Sequence, residues 1–245
     1  MNASSAPVVL ITGAARRVGA VIAEHLHAAG YAIALHYRHS GREAAALGAR
    51  LQAIRPGSCV VLPADLNDLA QLPILIDRVL THFGRLDVLI NNASAFYPTR
   101  FGRIAVADWD DLFASNAKAP FFLAQAAAPA LKAAHGAILN LIDIYAERPL
   151  AAHSVYCMAK AALAMMTLSL AKELAPEVRV NGIAPGAVLW PETGKDAGGQ
   201  AELIAKTPLR RVGSPADIAA AALFFLRDAP FVTGQILRVD GGRSL

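Results

Sequence analysis

Short apolar runs alternate with helical patterns along almost the whole chain, and this alternation constrains the fold more than any other feature. The runs are Val8–Ile11, Ala32–Tyr37, Cys59–Pro63, Leu86–Ile90, Ala137–Ile142, Arg179–Ile183 and Ile236–Val239. The helical stretches are Val18–Ala29, Arg42–Ile54, Leu69–Phe83, Val106–Leu131, Val155–Ala175 and Pro215–Arg227. Continuous apolar runs are typical of strands covered on both faces. The alternation therefore predicts an α/β fold, a doubly wound parallel sheet of about seven strands with helices on both faces.

Length and composition indicate one domain over residues 1–245. The chain is 55% hydrophobic and can bury a large core. Its least regular stretch is Gly186–Gly199, which predicts a substrate loop near residues 186–206. The chain has only two cysteines, which fits a reducing cytoplasm, and the sequence shows no export signal. It also has no apolar run of about 18 residues, the length of a membrane span, so we expect a cytoplasmic protein outside the membrane. The net charge is only +4 and the basic residues are scattered along the chain, which argues against nucleic acid as a partner.

The first strand leads into a glycine-containing turn, "VVLITGAARRVG". Gly13 permits a tight turn, and Gly19 permits close packing of the following helix on the strand. Because the helix begins near Val18, its free N–H groups can meet a pyrophosphate, with Arg16 and Arg17 beside it. The turn predicts a dinucleotide site in a sheet of the Rossmann type.

The end of the second strand indicates which dinucleotide binds. It reads "ALHYRHSGRE", with no carboxylate before Glu43, whereas a free ribose diol favours an acidic residue here. Arg38, Ser40 and either Arg16 or Arg17 can bind a 2′-phosphate through charge-assisted hydrogen bonds. A solvated basic loop is the alternative. The pattern favours NADPH/NADP+ as the cofactor, and the sequence predicts no metal site.

Two further motifs carry chemistry. In "YCMAK", Tyr156 and Lys160 share one face of a predicted helix, and a nearby ammonium favours the phenolate form of a tyrosine. The motif "NNASAF", Asn91–Phe96, follows the fourth strand, at the sheet edge where α/β proteins bind ligands. The alternative for Tyr156 and Lys160 is an ordinary surface pair, and the alternative for Asn91–Phe96 is an amide-rich turn.

Taken together, these motifs resemble the short-chain dehydrogenase/reductase family over nearly the whole chain. The matching segments are "TGAARRVG", "ADL" at Ala64–Leu66, "NNAS" at Asn91–Ser94, Asn116 in "SNAKAPFF", "YCMAK", "RVNGIAPG" and "VTGQILRVDGG". They occur in the family's order, which makes the resemblance specific.

The resemblance implies a role for each matching residue. Tyr156 would be the catalytic acid, Lys160 would lower its pKa and hold the nicotinamide ribose, and Asn116 would support a proton-relay water. Asp65 would meet the adenine, and Asn92 the ribose region of the cofactor. The further cofactor contacts that it implies are Val18, His36, Tyr37, His39, Leu66, Ala93, Ser94, Pro185 and Gly186.

Two departures from the family pattern narrow the function. Arg17 stands where the family's turn has glycine, and Asp143 stands in place of the catalytic serine, thirteen residues before the tyrosine. Both departures resemble the pteridine reductases, as do "NNASAFYPT" and "HYRHS". By that resemblance Arg17 is shared between substrate and cofactor phosphates, and Phe96 stacks on the pterin ring. Ser94 would hydrogen-bond the pterin or the cofactor, and Asp143 would stabilise a protonated pterin.

The sequence analysis therefore predicts an NADPH-dependent reductase of dihydropteridines such as dihydrobiopterin or dihydromonapterin, with dihydrofolate left open as a further substrate. Leu189 and Trp190 are predicted to lie in a lid over the substrate. The resemblance and two long apolar helices favour a homotetramer. A 3-oxoacyl-thioester or other carbonyl reductase is the alternative enzyme. An NADPH-binding regulator without turnover is the alternative from another class.

Overall fold

A parallel seven-stranded sheet forms the centre of the computed structural model, which describes residues 6–188 and 197–245. The strands are β1 (Val8–Ile11), β2 (Ala32–Tyr37), β3 (Cys59–Pro63), β4 (Val88–Asn91), β5 (Ala137–Leu141), β6 (Arg179–Pro185) and β7 (Ile236–Val239). Their order across the sheet is β3-β2-β1-β4-β5-β6-β7. This confirms the predicted doubly wound fold, and most strand bounds lie within two residues of the prediction.

Helices cover both faces of the sheet. They are α1 (Arg17–Ala28), α2 (Gly41–Ile54), α3 (Gln71–Phe83), α4 (Val106–Phe113), α5 (Ala119–Ala133), α6 (Ser154–Glu173), α7 (Ala197–Ala205) and α8 (Pro215–Leu223). One core cluster contains the buried sides of α3, α5 and α6, and the other contains those of α1, α2 and α8. Successive side chains of β1 alternate between them, with Val8 and Leu10 in the first and Val9 and Ile11 in the second. Because both faces are covered, every residue of the strand is apolar.

The strand order reverses between β1 and β4. These two strands are neighbours, with Leu10 opposite Leu89 and Ile11 opposite Ile90, although two strands and three helices lie between them in sequence. In open α/β sheets such a reversal opens a crevice at the carboxyl ends of the strands. The turn after β1 and the loop after β4 therefore face each other there.

The predicted helix Val106–Leu131 is wrong as one continuous element. A five-residue π-helical stretch, Ala114–Lys118, separates α4 from α5. Pro120 has no N–H to donate to the carbonyl of Asn116 four residues earlier, so regular α-helical bonding cannot run through this point. Such π segments are frequent at functional sites, and this one carries Asn116.

Two predicted bounds need correction here, the end of the strand at Ile183 and the irregular loop near residues 186–206. Strand β6 continues to Pro185, and Ala197–Ala205 forms helix α7, which the sequence pattern did not predict. Of the described helices, α6 alone has the length and apolar composition of a membrane span, and 56% of that apolar window is buried inside the fold.

Candidate active site

The turn between β1 and α1 is held against the loop that follows β4. Thr12 Oγ1 accepts hydrogen bonds from the backbone N–H groups of Asn92 (2.9 Å) and Ala93 (3.0 Å). Gly13 has a φ of +62°, and a Cβ at this position would lie 3.0 Å from the Cα of Ala93. The loops approach so closely, and the turn is so tight, that the position favours glycine.

Asn92 holds the same turn through its side chain. Its Nδ2 donates to the backbone oxygens of Thr12 (2.8 Å) and Gly13 (3.1 Å). A Cβ at Gly19 would lie 2.5 Å from that nitrogen, so α1 can approach the turn only with glycine there. The amide nitrogen of Asn92 thus has a structural role, and its contact with a cofactor ribose stays a prediction.

Arg17 begins α1 in an unusual backbone conformation. Its φ is +55°, in the left-handed region that side chains disfavour, which accounts for the family's glycine at this place. The residue at the N-cap position, Arg16, makes no side-chain capping hydrogen bond. The first N–H groups and the helix dipole therefore remain suited to an anion.

These residues line a cleft of about 440 Å³ at the carboxyl edge of the sheet. The predicted cofactor-binding residues that line it are Gly13, Arg16, Arg17, Val18, Gly19, His36, Tyr37, Arg38, His39, Ser40, Asp65, Leu66, Asn92, Ala93 and Ser94. The residues that sequence reasoning missed are Ala15, Asn67, Ala95, Asp111 and Ser115. A glycine turn, a free helix N-terminus and three arginines in one cleft fit a dinucleotide phosphate group.

His36 supports the turn from beneath. Its Nδ1 accepts the N–H of Gly13 (3.1 Å), and its Nε2 lies 3.1 Å from the carbonyl oxygen of Ala64, which requires the proton on Nε2. Burial lowers the pKa of His36 to about 4, so the ring is neutral near pH 7. Both ring nitrogens are therefore bonded within the protein, and the predicted contact of His36 with the cofactor stays a prediction.

Arg38 forms an ion pair with Asp65 across the cleft. The distance between Arg38 Nη2 and Asp65 Oδ2 is 2.9 Å, and both side chains are partly exposed. The sequence analysis assigned Arg38 to the 2′-phosphate and Asp65 to the adenine, whereas in the structure the two side chains contact each other. An anion bound at Arg38 would have to share its guanidinium with this carboxylate or displace it.

Tyr156 and Asp143 meet beyond the inner end of this cleft. The Tyr156 hydroxyl donates to Asp143 Oδ2 at 2.7 Å, and only 4% of Tyr156 is exposed. Asp143 stands at the carboxyl end of β5, and α6 carries Tyr156 in its first turn. Burial and the Asp143 carboxylate raise the pKa of Tyr156 well above its ordinary value, and burial raises the pKa of Asp143. The pair therefore tends to retain a proton.

Lys160 lies near this pair and is bonded to the end of β5. Its Nζ donates to the carbonyl oxygen of Leu141 (2.8 Å) and lies 5.8 Å from the centroid of the Tyr156 ring. Burial lowers the pKa of Lys160 to about 8, partly opposed by Asp143. Burial and the Asp143 carboxylate dominate the pKa of Tyr156, and the predicted lowering by Lys160 stays a prediction.

Ser94 joins the cofactor cleft to the Asp143–Tyr156 pair. It lines the cleft, and its hydroxyl donates to Asn116 Oδ1 at 2.6 Å. The proximity of the Ser94 hydroxyl also acts to lower the pKa of Tyr156, against the larger effects of burial and Asp143. The fully buried Asn116 donates to the carbonyl oxygens of Ala95 and Leu112, both at 2.9 Å. The cleft and the proton-holding pair thus belong to one continuous site.

Phe96 forms an aromatic wall beside Tyr156. Its ring meets Tyr156 edge to face at 4.8 Å and stacks on His153 at 4.7 Å with an interplanar angle of 13°. About half of Phe96 remains exposed. Phe96 thus lies against the Tyr156 ring, and its stacking on a pterin ring stays a prediction. The role of His153 was missed, although its position three residues before Tyr156 could have indicated it.

A second missed contact holds the loop that carries Phe96. The Tyr97 hydroxyl donates to Asp111 Oδ2 at 3.0 Å, which ties this loop to α4. Burial and that carboxylate raise the pKa of Tyr97 to about 12, so the hydroxyl keeps its proton. The pair is separated by fourteen residues with no motif between them, so sequence reasoning had no signal for it.

The remaining predicted site residues either do not line the cleft or lie outside the described residues. Pro185 ends β6 at the carboxyl edge, and Gly186 follows it and donates its N–H to the carbonyl oxygen of Val239. Neither residue lines the cleft. Their predicted cofactor contact stays a prediction. Leu189 and Trp190, the predicted lid residues, lie outside the described residues.

Comparison with known proteins gives two kinds of relative. A family model described as enoyl-(acyl carrier protein) reductase matches residues 13–244. Pteridine reductase 1 of Leishmania tarentolae is 38% identical, over 98% of this chain and 97% of that protein. A 3-oxoacyl-(acyl-carrier-protein) reductase of Synechocystis is 33% identical, over 99% and 98%, and one of Staphylococcus aureus (strain N315) is 33% identical, over 95% and 96%. All are similar to this chain over almost its full length.

Proposed function

We propose that this chain, which belongs to the short-chain dehydrogenase/reductase family, is an NADPH-dependent pteridine reductase. Membership implies a nicotinamide cofactor and oxidoreductase chemistry. The reaction consumes a dihydropteridine such as dihydrobiopterin or dihydromonapterin, NADPH and one proton, and it yields a tetrahydropteridine and NADP+. When bound, NADPH supplies the hydride for the ring carbon of the C=N bond. The protein must place the ring and deliver a proton to the ring nitrogen.

The hydrogen bond from the Tyr156 hydroxyl to Asp143 Oδ2 carries this proposal. A carbonyl reductase benefits from a neutral hydroxyl donor at the position of Asp143, because negative charge develops on the substrate's oxygen. A carboxyl group disfavours that charge, whereas it stabilises a protonated pteridine nitrogen. Since both members of the pair have raised pKa values, Tyr156 holds a proton for transfer. Asp143 orients the Tyr156 hydroxyl or supplies the proton that replaces the one transferred.

Two features support the substrate and cofactor assignments. Phe96 offers an exposed aromatic face next to Tyr156, and stacking against a flat ring contributes roughly 0.5–1.5 kcal/mol beyond burial. Arg16, Arg17, Arg38 and Ser40 line the cleft where a 2′-phosphate would bind, and β2 does not end in a carboxylate. We expect NADPH to be strongly preferred over NADH, because each lost charge-assisted contact costs about 1.5–3 kcal/mol.

Reduction of a 3-oxoacyl thioester is the second candidate. The similarity to 3-oxoacyl-(acyl-carrier-protein) reductases supports it, at 33% identity against 38% for the pteridine reductase. Asp143 argues against it because a carboxyl group disfavours negative charge on a carbonyl oxygen, and Phe96 argues against it because its ring suits a flat substrate. The two candidates differ in substrate, so kinetics can separate them.

The test compares catalytic efficiencies of the wild-type protein with dihydrobiopterin and with an acetoacetyl thioester, each with NADPH and with NADH. We expect dihydrobiopterin and NADPH to be preferred. A preference for the thioester would replace the proposal with the second candidate. Equal efficiencies with NADPH and NADH would contradict the cofactor assignment alone.

Two variants probe the residues on which the choice depends. Asp143→Ser should leave the Kd of NADPH unchanged and lower kcat for dihydrobiopterin, since the carboxyl group acts on the transferred proton. Phe96→Ala should mainly raise KM, because stacking is present before the transition state. If Asp143→Ser had no effect on kcat, the proposed proton chemistry would be wrong.

A further inference from the structure

We propose that a buried chain of three polar side chains, Asn91, Asn140 and Thr167, positions Lys160 for its contact with the cofactor. The chain lies among the ends of β4 and β5 and the middle of α6. The inference rests on the proposed reduction with NADPH, in which Lys160 holds the nicotinamide ribose. It adds two positioning residues, Asn140 and Thr167, neither of which belongs to the motifs that predict the site.

Three hydrogen bonds run in one direction along this chain. Asn91 Nδ2 donates to Asn140 Oδ1 at 2.8 Å, and Asn140 Nδ2 donates to Thr167 Oγ1 at 2.9 Å. The Thr167 hydroxyl then donates to the carbonyl oxygen of Leu163 at 2.9 Å. Asn91 and Asn140 stand opposite each other in the parallel pair of β4 and β5, so the register of the sheet brings their amides together. Because Asn140 and Thr167 each accept one bond and donate the next, loss of either polar group interrupts the whole chain.

Lys160 is held between the same two elements, β5 and α6. Its Nζ donates to the carbonyl oxygen of Leu141, the residue after Asn140, at 2.8 Å. Lys160, Leu163 and Thr167 follow the i, i+3, i+7 spacing of one helix face, and all three are buried. Helix α6 is thus bonded to consecutive residues of β5 at two points, through Lys160 and, about two turns further along, through Thr167. Two attachments fix both the rotation and the register of α6 on β5.

The chain lies where apolar side chains would give a more stable core. Asn140 and Thr167 are fully buried and Asn91 is 3% exposed, and the two strands are otherwise apolar. Within the described part of the chain, Asn91 Oδ1 is a buried atom without a hydrogen-bond partner. An unpaired buried acceptor lowers stability. Stability alone therefore does not account for these polar groups, whereas a bonded network that fixes neighbouring groups in one arrangement does.

Lys160 needs this support because its ammonium ends a flexible four-carbon stem. The side chain is buried, so Nζ must be held where both Leu141 and the cofactor can accept its protons. The same helix carries Tyr156 in its first turn, against Asp143. Since misplacement of a functional group by about 1 Å can lower a rate about a hundredfold, a small shift of α6 along β5 affects both cofactor binding and turnover.

The test removes either the hydroxyl or the methyl group of Thr167 in the full chain. Thr167→Val keeps the shape and removes the hydroxyl, whereas Thr167→Ser keeps the hydroxyl and removes a methyl group. We expect Thr167→Val to raise the Kd of NADPH and to lower kcat with dihydrobiopterin, each about tenfold, without changing KM for dihydrobiopterin. Thr167→Ser should retain the wild-type Kd and kcat while lowering Tm, because buried apolar volume is lost.

Ser58→Ala is the matched control. Ser58 is also buried, and its hydroxyl also makes two hydrogen bonds, to the carbonyl oxygen of Arg55 at 2.5 Å and with His27 Nε2 at 2.7 Å. It precedes β3, at the amino ends of the strands and so at the opposite edge of the sheet from the site. The control variant should lower Tm and leave the Kd of NADPH and kcat unchanged.

Asn140→Ala interrupts the chain from the strand side and serves as the second variant if Thr167→Val does not fold. It should change the Kd of NADPH and kcat in the same directions. Wild-type constants in either variant, equal losses in Thr167→Val and Thr167→Ser, or the same loss in Ser58→Ala would overturn the inference.

Failure of the proposed function has a different signature. NADPH binding by the wild type without turnover of dihydrobiopterin would refute the pteridine substrate alone, because the Kd measurements still test the chain. Absence of NADPH binding by the wild type would overturn both the cofactor assignment and this inference.

Discussion

Individual residues in this site have roles that their neighbours in space determine. Tyr156 is expected from its spacing to be activated by Lys160, yet the carboxyl group of Asp143 is its direct partner. Phe96 lies beside Tyr156, and His153 supports its ring. In each case a contact with a residue outside the local sequence motif determines the chemical role of the side chain. The departure at Asp143 therefore bears more on the substrate than the shared tyrosine and lysine do.

Arg17 provides a prediction about backbone strain and binding. Arg17→Gly should keep or raise the free energy of unfolding, by up to about 1 kcal/mol, because glycine adopts a positive φ without the cost that arginine bears. The same change should raise the Kd of NADPH about tenfold or more, since a charge-assisted contact is lost. Thermal unfolding and titration with NADPH measure the two effects.

Arg16→Gly is the control for Arg17→Gly. Arg16 has an extended backbone with φ −144°, so glycine relieves no strain there and should lower the free energy of unfolding slightly. A fall in stability for Arg17→Gly with an unchanged Kd of NADPH would refute the prediction.

The elements position the site by their ends and by their irregularities. Strands β1, β4 and β5 end at Ile11, Asn91 and Leu141, and the turns that follow supply the phosphate cradle, the aromatic wall and the acid. The π-helical stretch before α5 carries Asn116, whose amide is bonded to Ser94 and Ala95. Regular strands and helices thus support the site, and the functional groups lie where regular bonding stops.

His36 on β2 provides a prediction about pH. Its pKa is about 4 in the folded protein and about 6.5 when unfolded, so below pH 6.5 the unfolded chain binds a proton that the folded chain does not. Stability is therefore fully present above pH 6.5 and is lost as the pH falls toward 4, by roughly 3 kcal/mol. His36→Asn, which keeps an acceptor near the N–H of Gly13, should reduce this slope in denaturant unfolding at pH 4.5 and 7.

His25→Asn is the comparison for that variant, because His25 is exposed on α1. It should leave the slope of stability against pH as it is in the wild type. An unchanged slope in His36→Asn would show that protonation of His36 does not limit acid stability.

At the level of the whole molecule, the described surface includes large apolar side chains on three successive helices. They are Trp109 on α4, Phe121 and Phe122 on α5, and Met158, Met165 and Leu168 on α6. A protein that stays monomeric rarely exposes this much apolar area. Closed assemblies of identical chains commonly bury such faces.

We propose that the chain forms a homotetramer through these helices. Light scattering at micromolar concentration should give a mass four times that of the chain. Met165→Glu, which places a charge on the apolar surface of α6, should shift the mass toward smaller species without changing the far-ultraviolet circular dichroism. A monomeric mass for the wild-type protein would contradict the proposal.

The sequence by itself determined the architecture and the identity of most groups in the site. Alternating apolar runs and helical patterns specify a parallel doubly wound sheet, because strands buried on both faces must be apolar throughout. The glycine turn and the residues after β2 identified the cofactor cleft, since these contacts arise within short segments of chain. The order of motifs identified the tyrosine, the lysine and the substituted acid.

Only the tertiary structure decided how those groups are connected. The pairing of Arg38 with Asp65, of Tyr156 with Asp143 and of Ser94 with Asn116 depends on how different strands, loops and helices are placed relative to one another. The π-helical break at Ala114–Lys118 leaves no periodic signal, because it shifts one turn within an otherwise helical pattern. Local propensity specifies which element forms, whereas protonation and pairing depend on burial and on neighbours that folding brings together.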